Sequence, residues 1–447
     1  HWSRSLEWGY FTKPPIIAWI IAVSTSVFGQ EEWAVRLCSP IIHFLISIFL
    51  WIASNSFFGS KSGRVAALIW IFTPIASLGS FIISTDTPLL LFWSLGLIFL
   101  MKLIKRKTLT YSLLIGLAIG LGLLSKYASL YFLIFLALWW LIYDRGKTLD
   151  IKSLILISLF TFIVASGNIY WNYENDFATF SHTASNADLK SINFNYKNMF
   201  KFLSSQLLVF GPILLILYIF IVFESFYINK NLSLLAMLSF PIIFLITIQG
   251  FLKIANANWA VTAYIAATIL LSIFVVINKR IYMRFIFKVG LLVNIAISAF
   301  IFIVTVTGSF DPIKLKSNPL RKNLGFELLA EQIANIFQNQ PLSSIIFESR
   351  SDITRFNYYL NRSKNKFKNK IFLISENKVH GNFYEAHYKF NPQLFKMGEQ
   401  VLLVSQNKIE QNNNSLSNFN LVKKISTETV DKIIRSYYLY SATIVKK

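Results

Sequence analysis

The sequence predicts a mainly α-helical, polytopic membrane protein of about ten transmembrane helices, followed by a small C-terminal α/β domain outside the cytoplasm. Three observations lead to this fold class. Of the 447 residues, 55% are hydrophobic and only 14% are charged, and the mean hydropathy is +0.54. Apolar runs long enough to cross a bilayer recur from residue 37 to about residue 308. Beyond that point polar residues increase and short β-like runs begin.

The first 36 residues predict an outer loop that contains one short helix. The opening residues, HWSRSLEWGYFTKPP, are polar, and the apolar stretch 16–28 begins directly after Pro14 and Pro15. Thirteen residues are too few for a full crossing, so we expect an interfacial or re-entrant helix. The chain starts with His1 and shows no signal peptide. We therefore expect a preceding segment that contains a further membrane helix.

The membrane domain is predicted to cover residues 37–308. A spanning helix needs about 20 mostly apolar residues. Runs that meet this requirement, or come close to it, are 37–57, 65–83, 87–104, 109–125, 127–143, 153–171, 203–223, 232–249, 259–278 and 287–307. The stretch 109–143 is too long for one helix, and Lys126 interrupts it, which predicts a tight hairpin.

The distribution of Lys and Arg predicts the orientation of these helices. Cations concentrate in alternate short connections, which is typical of the cytoplasmic side. They are Lys61, Arg64, Lys102, Lys105, Arg106, Lys107, Arg145, Lys147, Lys152, Lys230, Lys279, Arg280, Arg284 and Lys288. The opposite connections carry fewer cations for their length. An even number of crossings then places residues 309–447 on the same side as His1, outside the cytoplasm.

The C-terminal segment 309–447 predicts a soluble α/β domain. The runs SSIIF, KIFLI, QVLLV and YLYSATIV have β-like composition, and GFELLAEQIANIF and DITRFNYYL have helical patterns between them. The polar stretch QNNNSLSN at 411–418 is predicted as a loop. Alternation of this kind favours a mixed α/β fold.

Composition and missing motifs exclude several function classes. The net charge of +22 is divided between short loops and the tail, which favours membrane orientation over nucleic-acid binding. The single cysteine, Cys38, can form no disulfide within the chain. The sequence contains no Walker-type phosphate loop, no nucleophile elbow and no HExxH motif, which argues against ATP-driven transport and against serine- or zinc-dependent hydrolysis.

Polar residues at membrane boundaries are the candidates for chemistry. Lys13, between aromatic residues and a Pro-Pro pair, suits a phosphate at headgroup depth, or it is a snorkelling lysine. Asp86, in STDTP, is either a helix cap or a catalytic or metal-binding carboxylate. Lys126 allows the same alternatives as Lys13. The outer loops 171–186 and 252–264 are rich in Asn and aromatic residues, which bind sugars but also populate membrane interfaces.

These motifs together resemble a family. The stretch WSRSLEWGYFTKPPIIAWIIAVSTSVFGQEEWAVRL is similar to the first outer loop of bacterial GT-C glycosyltransferases that use polyprenyl-phosphate-linked sugars. That group includes lipid A aminoarabinose transferases and relatives of the protein O-mannosyltransferases. STDTPLLLFW, GLGLLSKY, WNYENDFATFSH and the ANW…AY segment follow in the family's order and spacing. The resemblance covers about residues 1–310.

The resemblance implies roles for individual residues. Lys13 corresponds to the family lysine that contacts the carrier-lipid phosphate, and Arg36 and Lys126 correspond to basic positions near the same phosphate. Asp86 corresponds to an acidic, catalytic position of the second loop. Residues assigned to sugar or acceptor binding are Tyr10, Asn172, His182, Asn258 and Trp259. The family's acidic pair, commonly taken as the catalytic base, would precede Trp2, so this chain is expected to lack the first-loop acid.

The implied function is transfer of a sugar from a polyprenyl-phosphate carrier to lipid A, a polysaccharide or a protein, at the outer face of a bacterial inner membrane. A transporter or lipid flippase shares the multispan architecture, and a non-catalytic membrane scaffold is a further alternative. The sequence predicts no dedicated metal site or certain cofactor, although a divalent metal at the carboxylates stays open. It identifies neither the sugar nor the acceptor.

Overall fold

The protein is described here by a computed structural model. It describes residues 1–187, 194–278, 280–307, 325–362, 367, 370–375, 383–409, 415–428 and 434–445. Two compact units divide near residue 303. The first unit, Trp2–Ile303, is helical, and the second, Val304–Lys447, contains the only β-sheet among the described residues.

The helices of the first unit follow the predicted apolar runs. Because those runs are hydrophobic on most sides, the helices pack into one continuous core and leave large apolar side chains exposed on the outside. They are α1 Ile16–Phe28, α2 Glu32–Arg36, α3 Cys38–Phe58, α4 Ser60–Ile71, α5 Pro74–Phe81, α6 Asp86–Arg106, α7 Leu109–Leu123, α8 Leu130–Trp139, α9 Ile151–Glu174, α10 Ala178–Ala187, α11 Tyr196–Phe210, α12 Pro212–Ile228, α13 Lys230–Met237, α14 Phe240–Leu252, α15 Ala263–Ile277 and α16 Ile281–Thr307.

The chain is a multi-pass membrane protein, but the structure does not confirm ten crossings. Six helical stretches in the described part of the chain are long and apolar enough to span a bilayer, or up to eight if two bent pairs each count as one span. The six are Glu32–Phe58, Asp86–Arg106, Tyr127–Asp144, Ile151–Glu174, Lys230–Leu252 and Ile281–Val306. Helices α7 and α15, which were predicted as spans, are apolar but shorter.

Two of the predicted spans are broken. The run 203–223 was predicted as one helix, but α11 and α12 meet there at 105°. Gly211 at the bend has φ +98°, and an added Cβ would lie 1.8 Å from Oδ1 of Asn294, so only glycine fits. The run 65–83 bends by 54° between α4 and α5, before Pro74. In both places proline starts a new helix within an apolar run.

The predicted hairpin around Lys126 is confirmed. Helix α7 ends at Leu123, a short 3₁₀ turn covers Tyr127–Ser129, and α8 begins at Leu130. The short helix after the Pro-Pro pair is also present as α1. It is tied to the hairpin because the amide of Ile16 donates a hydrogen bond to the carbonyl of Leu124 at 3.0 Å.

The second unit contains a five-stranded mixed sheet of order β2-β1-β3-β5-β4. The strands are β1 Ile345–Phe347, β2 Ile371–Leu373, β3 Gln400–Ser405, β4 Leu416–Glu428 and β5 Ile434–Ile444, and the helices are α17 Phe326–Gln338, α18 Arg350–Leu360 and α19 Phe383–Tyr388. Strand β1 pairs in parallel with β2 and β3, whereas β5 is antiparallel to β3 and β4.

This sheet includes each of the four predicted strands and adds one. Strand β4 begins at Leu416, inside the stretch 411–418 that was predicted as a loop; residues 411–414 lie outside the described part. The prediction of a loop was wrong over 416–418, because β4 is an edge strand with a mostly polar sequence. Such a strand lacks the apolar alternation of a buried one.

Candidate active site

Lys13 lies in a tight turn whose two ends are fixed. The backbones of Tyr10 and Lys13 are hydrogen-bonded to each other in both directions, at 3.1 and 3.3 Å. The amide of Ile16, three residues after Lys13, donates to the carbonyl of Leu124 directly after α7. Lys126 follows Leu124 by two residues. The Pro-Pro pair between Lys13 and Ile16 has little conformational freedom. The sequence therefore holds the ammonium of Lys13 near the α7–α8 connection.

Asp86 is the first residue of α6, but its carboxylate does not cap that helix. Oδ1 accepts a hydrogen bond from Nζ of Lys126, and Oδ2 accepts one from Nδ2 of Asn258, both at 2.6 Å. The residue preceding it, Thr85, makes no side-chain cap either. Each carboxylate oxygen of Asp86 thus contacts a side chain from a distant part of the sequence. Lys126 is 40 residues away and Asn258 is 172 residues away.

The ion pair is mostly, but not fully, buried. The side chain of Asp86 is 11% exposed and that of Lys126 is 20% exposed. One donor is the ammonium of Lys126 and the other is the amide of Asn258, so each carboxylate oxygen acts as an acceptor. Partial burial strengthens such a charge-assisted pair relative to one in water. The site thus holds a carboxylate and keeps a path to solvent.

Lys13 adds a second cation to this pair. It is half-buried, and within the described residues it has no carboxylate within 4.0 Å. Burial lowers the pKa of Lys13 most, the positive charge of Lys126 lowers it further, and Asp86 opposes both effects. These couplings show that the three charged groups interact. Two ammonium groups against one carboxylate leave one positive charge, which an anion would offset.

Asn258 is positioned by a buried hydrogen-bond chain. Nε2 of Gln206, on α11, donates to the carbonyl of Ala257 at 3.2 Å, and the hydroxyl of Tyr264 donates to Oε1 of Gln206 at 2.8 Å. Gln206 and Tyr264 are buried. The loop that carries Asn258 is therefore fixed by α11 and α15, and its amide is directed at Asp86.

The end of α9 packs against the first loop. Gly9 lies so close to it that an added Cβ would be 2.4 Å from the Trp171 ring, so the GYF motif requires glycine at this position. Asn172 is fully buried, and its Oδ1 accepts from the amides of Thr179 and Phe180. Its amide group faces Tyr127, at 3.3 Å from the hydroxyl.

The structure places only some of the predicted site residues close to one another. It brings Asp86, Lys126 and Asn258 into hydrogen-bond contact, with Lys13 within electrostatic range of the two charged groups. Arg36 instead forms an i,i+4 pair with Glu32 at 2.9 Å, and its side chain is 53% exposed. Because nothing shows this pair in contact with the other charges, a phosphate role for Arg36 stays a prediction.

The remaining predicted sugar or acceptor ligands have other surroundings. Tyr10 is buried, and its hydroxyl donates to backbone carbonyls of its own loop, including that of Ser5 at 2.9 Å. Trp259 packs partly against the core. The ring of His182 lies 6.5 Å from that of Phe11. Their roles stay predictions.

Sequence reasoning missed Gln206, Asn168 and Thr179. Asn168 lies inside the apolar run of α9, and its buried amide donates to the carbonyl of Trp8 at 2.7 Å. A polar side chain inside a predicted span was the available signal. Gln206 carried the same signal in the run 203–223. Thr179 gave no such signal, because it lies in a predicted loop, where threonine is common.

The described residues contain no group of three or more His, Cys, Asp or Glu side chains that could hold a metal ion. Asp86 is the carboxylate of the site, and donors from Lys126 and Asn258 already engage both of its oxygens. The described residues thus show no ready-made cluster of metal ligands around Asp86.

Comparison with known proteins agrees with the order of these motifs. The family model described as "Dolichyl-phosphate-mannose-protein mannosyltransferase" matches residues 12–171. The lipid A galacturonosyltransferase RgtD of Rhizobium johnstonii is 32% identical over 272 residues, which are 60% of this chain and 57% of that protein. The chain thus spans less than two thirds of the length of this relative.

Solved structures agree at the level of the fold. The crystal structure of ArnT from Cupriavidus metallidurans bound to undecaprenyl phosphate has a TM-score of 0.64 at 14% identity, covering 97% of this chain and 88% of that one. The apo structure of the same protein has a TM-score of 0.63 at 12% identity. The likeness includes both the membrane helices and the small C-terminal domain.

Proposed function

We propose, on the premise that this chain belongs to the GT-C superfamily of glycosyltransferases, that it transfers a sugar from a polyprenyl-phosphate carrier to an acceptor at the outer face of the membrane. One observation carries the proposal. The half-buried ammonium of Lys13 is within electrostatic range of the Lys126–Asp86 ion pair, and the three charges together leave a net positive charge. A phosphodiester carries one negative charge and would neutralise the site.

In the proposed reaction, C1 of the sugar loses one bond to oxygen and gains another. The acceptor hydroxyl oxygen attacks C1 of the sugar, and the bond from C1 to the phosphate oxygen breaks. The electron pair leaves with the polyprenyl phosphate, whose growing negative charge Lys13 and Lys126 stabilise. Because Lys126 must turn from Asp86 towards the phosphate, donor binding releases one oxygen of the carboxylate. Asp86 then accepts the proton of the acceptor hydroxyl.

The acceptor and the sugar are finer proposals. The relative RgtD is named a lipid A galacturonosyltransferase, which favours an acceptor of the lipid A type and a hexuronosyl donor. The outer loops with His182 and Trp259 supply aromatic groups suited to a sugar, whereas the amide of Asn172 is buried and bonded within the protein, which does not favour its predicted sugar role. The alternative of a transporter without transferase activity has less support, because the matched relative is a transferase.

We further propose that the active site and the C-terminal unit face the periplasm of a bacterial inner membrane. The support is the excess of Lys and Arg in the opposite connections. A reporter active only in the cytoplasm, fused after Lys447, should be silent. Strong reporter activity would overturn this orientation.

Lipid binding tests the function without knowledge of the sugar. The probe is undecaprenyl phosphate in detergent, with undecaprenol as the uncharged control. Lys13→Ala should raise the Kd for the phosphate by about 10- to 100-fold, the value of a hydrogen bond to a charged group. Lys13→Arg keeps a cation and should bind more tightly than Lys13→Ala. Equal affinity of all three proteins for undecaprenyl phosphate would contradict the proposal.

A further inference from the structure

Four polar side chains connect the turn of Lys13 with the connection of Lys126. They form what we term the inter-loop network, and its members are Tyr127, Asn168, Asn172 and Thr179. Asn168, Asn172 and Thr179 are buried, with at most 2% of each residue exposed. None of the four carries a charge. Their bonds lead to the backbone and to each other.

One side of the network holds the connection of Lys126. The next residue, Tyr127, donates its hydroxyl hydrogen to Oδ1 of Asn168 at 2.8 Å and accepts a hydrogen bond from Nδ2 of Asn172 at 3.3 Å. Asn168 and Asn172 lie one turn apart on α9, so they face the same way. The position of Tyr127, and with it that of Lys126, is thus fixed to α9.

The other side of the network holds the first loop. Nδ2 of Asn168 donates to the carbonyl of Trp8 at 2.7 Å. The hydroxyl of Thr179 donates to the carbonyl of Tyr10 at 2.6 Å. That same carbonyl accepts from the amide of Lys13. The turn of Lys13 is therefore fixed to the same end of α9.

We propose that the inter-loop network is a positioning device, which sets the separation of the Lys13 and Lys126 ammonium groups to fit one phosphate. This inference rests on the proposed function. Buried donors and acceptors that all pair with each other favour one arrangement, because any other leaves a polar group unsatisfied. Two cations on separate loops can bind one phosphate together only if such an arrangement holds them at a fixed distance.

Two nearly isosteric variants test this role. Tyr127→Phe removes the hydroxyl between Asn168 and Asn172, and Thr179→Val removes the hydroxyl that holds Tyr10. Thr179→Ser restores that hydroxyl without the methyl group. Tyr218→Phe is the matched control, because the buried Tyr218 hydroxyl, on α12, donates to Ser239 in the α13–α14 connection at 2.8 Å, outside the network. The readouts are the Kd for undecaprenyl phosphate, the Kd for undecaprenol and the melting temperature.

The expected result is phosphate-specific. Tyr127→Phe and Thr179→Val should each raise the Kd for undecaprenyl phosphate about 3- to 10-fold, with undecaprenol binding unchanged. Thr179→Ser and Tyr218→Phe should bind both lipids like the original protein. An unchanged phosphate Kd in both test variants overturns the proposal. An equal loss for both lipids also overturns it, since the network would then only support the fold. If Lys13→Ala has no effect either, the proposed function itself fails.

Discussion

Two Asp–Lys pairs in the membrane unit differ in what holds the carboxylate. Asp144, the last residue of the helical span Tyr127–Asp144, is fully buried and accepts hydrogen bonds from Thr148 and from the amide of Leu149 in the loop that follows. Its cation, Lys230, is 3.4 Å away and 36% exposed. Asp86 instead takes both donors from the side chains of remote segments.

This difference separates a structural carboxylate from a candidate functional one. Asp144 would keep its loop in place without Lys230, because backbone amides already satisfy it. Asp86 has partners that can turn away, and both remain partly accessible to solvent. A charge that can exchange its partner suits a site where an anionic ligand arrives. The presence of an ion pair alone would not distinguish the two places.

The largest expected effect is the loss of turnover in Asp86→Asn. Asparagine can accept no proton usefully, so transfer of radiolabelled sugar should fall by about 10²- to 10⁴-fold. Asp144→Asn is the matched control. It should lower the free energy of unfolding by about 1–3 kcal/mol, because its amide nitrogen would face backbone donors, and it should leave turnover nearly unchanged.

A double variant tests whether the negative charge must lie at position 86 or need only be present in the site. Asp86→Asn combined with Asn258→Asp exchanges the two hydrogen-bonded groups and preserves the net charge of the site. If Asp86 accepts the proton, turnover should stay low in the double variant. Recovery to within a few-fold of the original rate would show that the carboxylate only compensates the cations.

A smaller effect is expected at the two cations. Lys126→Ala should weaken binding of undecaprenyl phosphate by about 10-fold or more, because a charged donor is lost and Asp86 then repels the phosphate. Lys230→Ala should change that Kd by less than about twofold, because Lys230 pairs with Asp144 and not with Asp86. Isothermal titration of both variants measures the difference. Equal losses would remove the distinction between the two pairs.

The smallest effect concerns pH. Burial and Lys126 lower the pKa of Lys13, so its charge is lost at a lower pH than that of an ordinary lysine. The lipid phosphate has a second pKa near 6, so its own charge is constant above about pH 8. Above pH 8, affinity should fall a few-fold as Lys13 loses its proton, at a lower pH than an ordinary lysine would give. Lys13→Arg should abolish this fall, and a fall that persists would assign it to another group.

The sequence predicted the parts of the site that interrupt an apolar pattern. Charged residues are costly at membrane depth, so Lys13, Asp86 and Lys126 stood out from their neighbours. Their pairing could not be predicted, because the contact of Asp86 with Asn258 joins residues 172 positions apart. The supporting amides of Gln206 and Asn168 were hidden, because averaging over 20 residues treats one polar side chain as part of a span.

The fold, like the site, could be predicted from the sequence only in part. Apolar runs predicted where most helices lie, whereas the 105° bend between α11 and α12 depends on the close approach of Gly211 and Asn294. Glycine and proline at 211 and 212 were visible as a break, but hydropathy over the whole run outweighed them. Strand β4 was missed because its pairing with β5, and not its composition, makes it a strand.

The central claim is that Lys13 and Lys126 bind one phosphate beside Asp86. A cryo-electron microscopy structure of the protein with undecaprenyl phosphate tests it most directly. Phosphate oxygens should lie at about 2.7–2.9 Å from Nζ of both lysines. Nζ of Lys126 should also have moved away from Oδ1 of Asp86, from its present 2.6 Å. A phosphate bound elsewhere, with the Lys126–Asp86 pair intact, would contradict the claim.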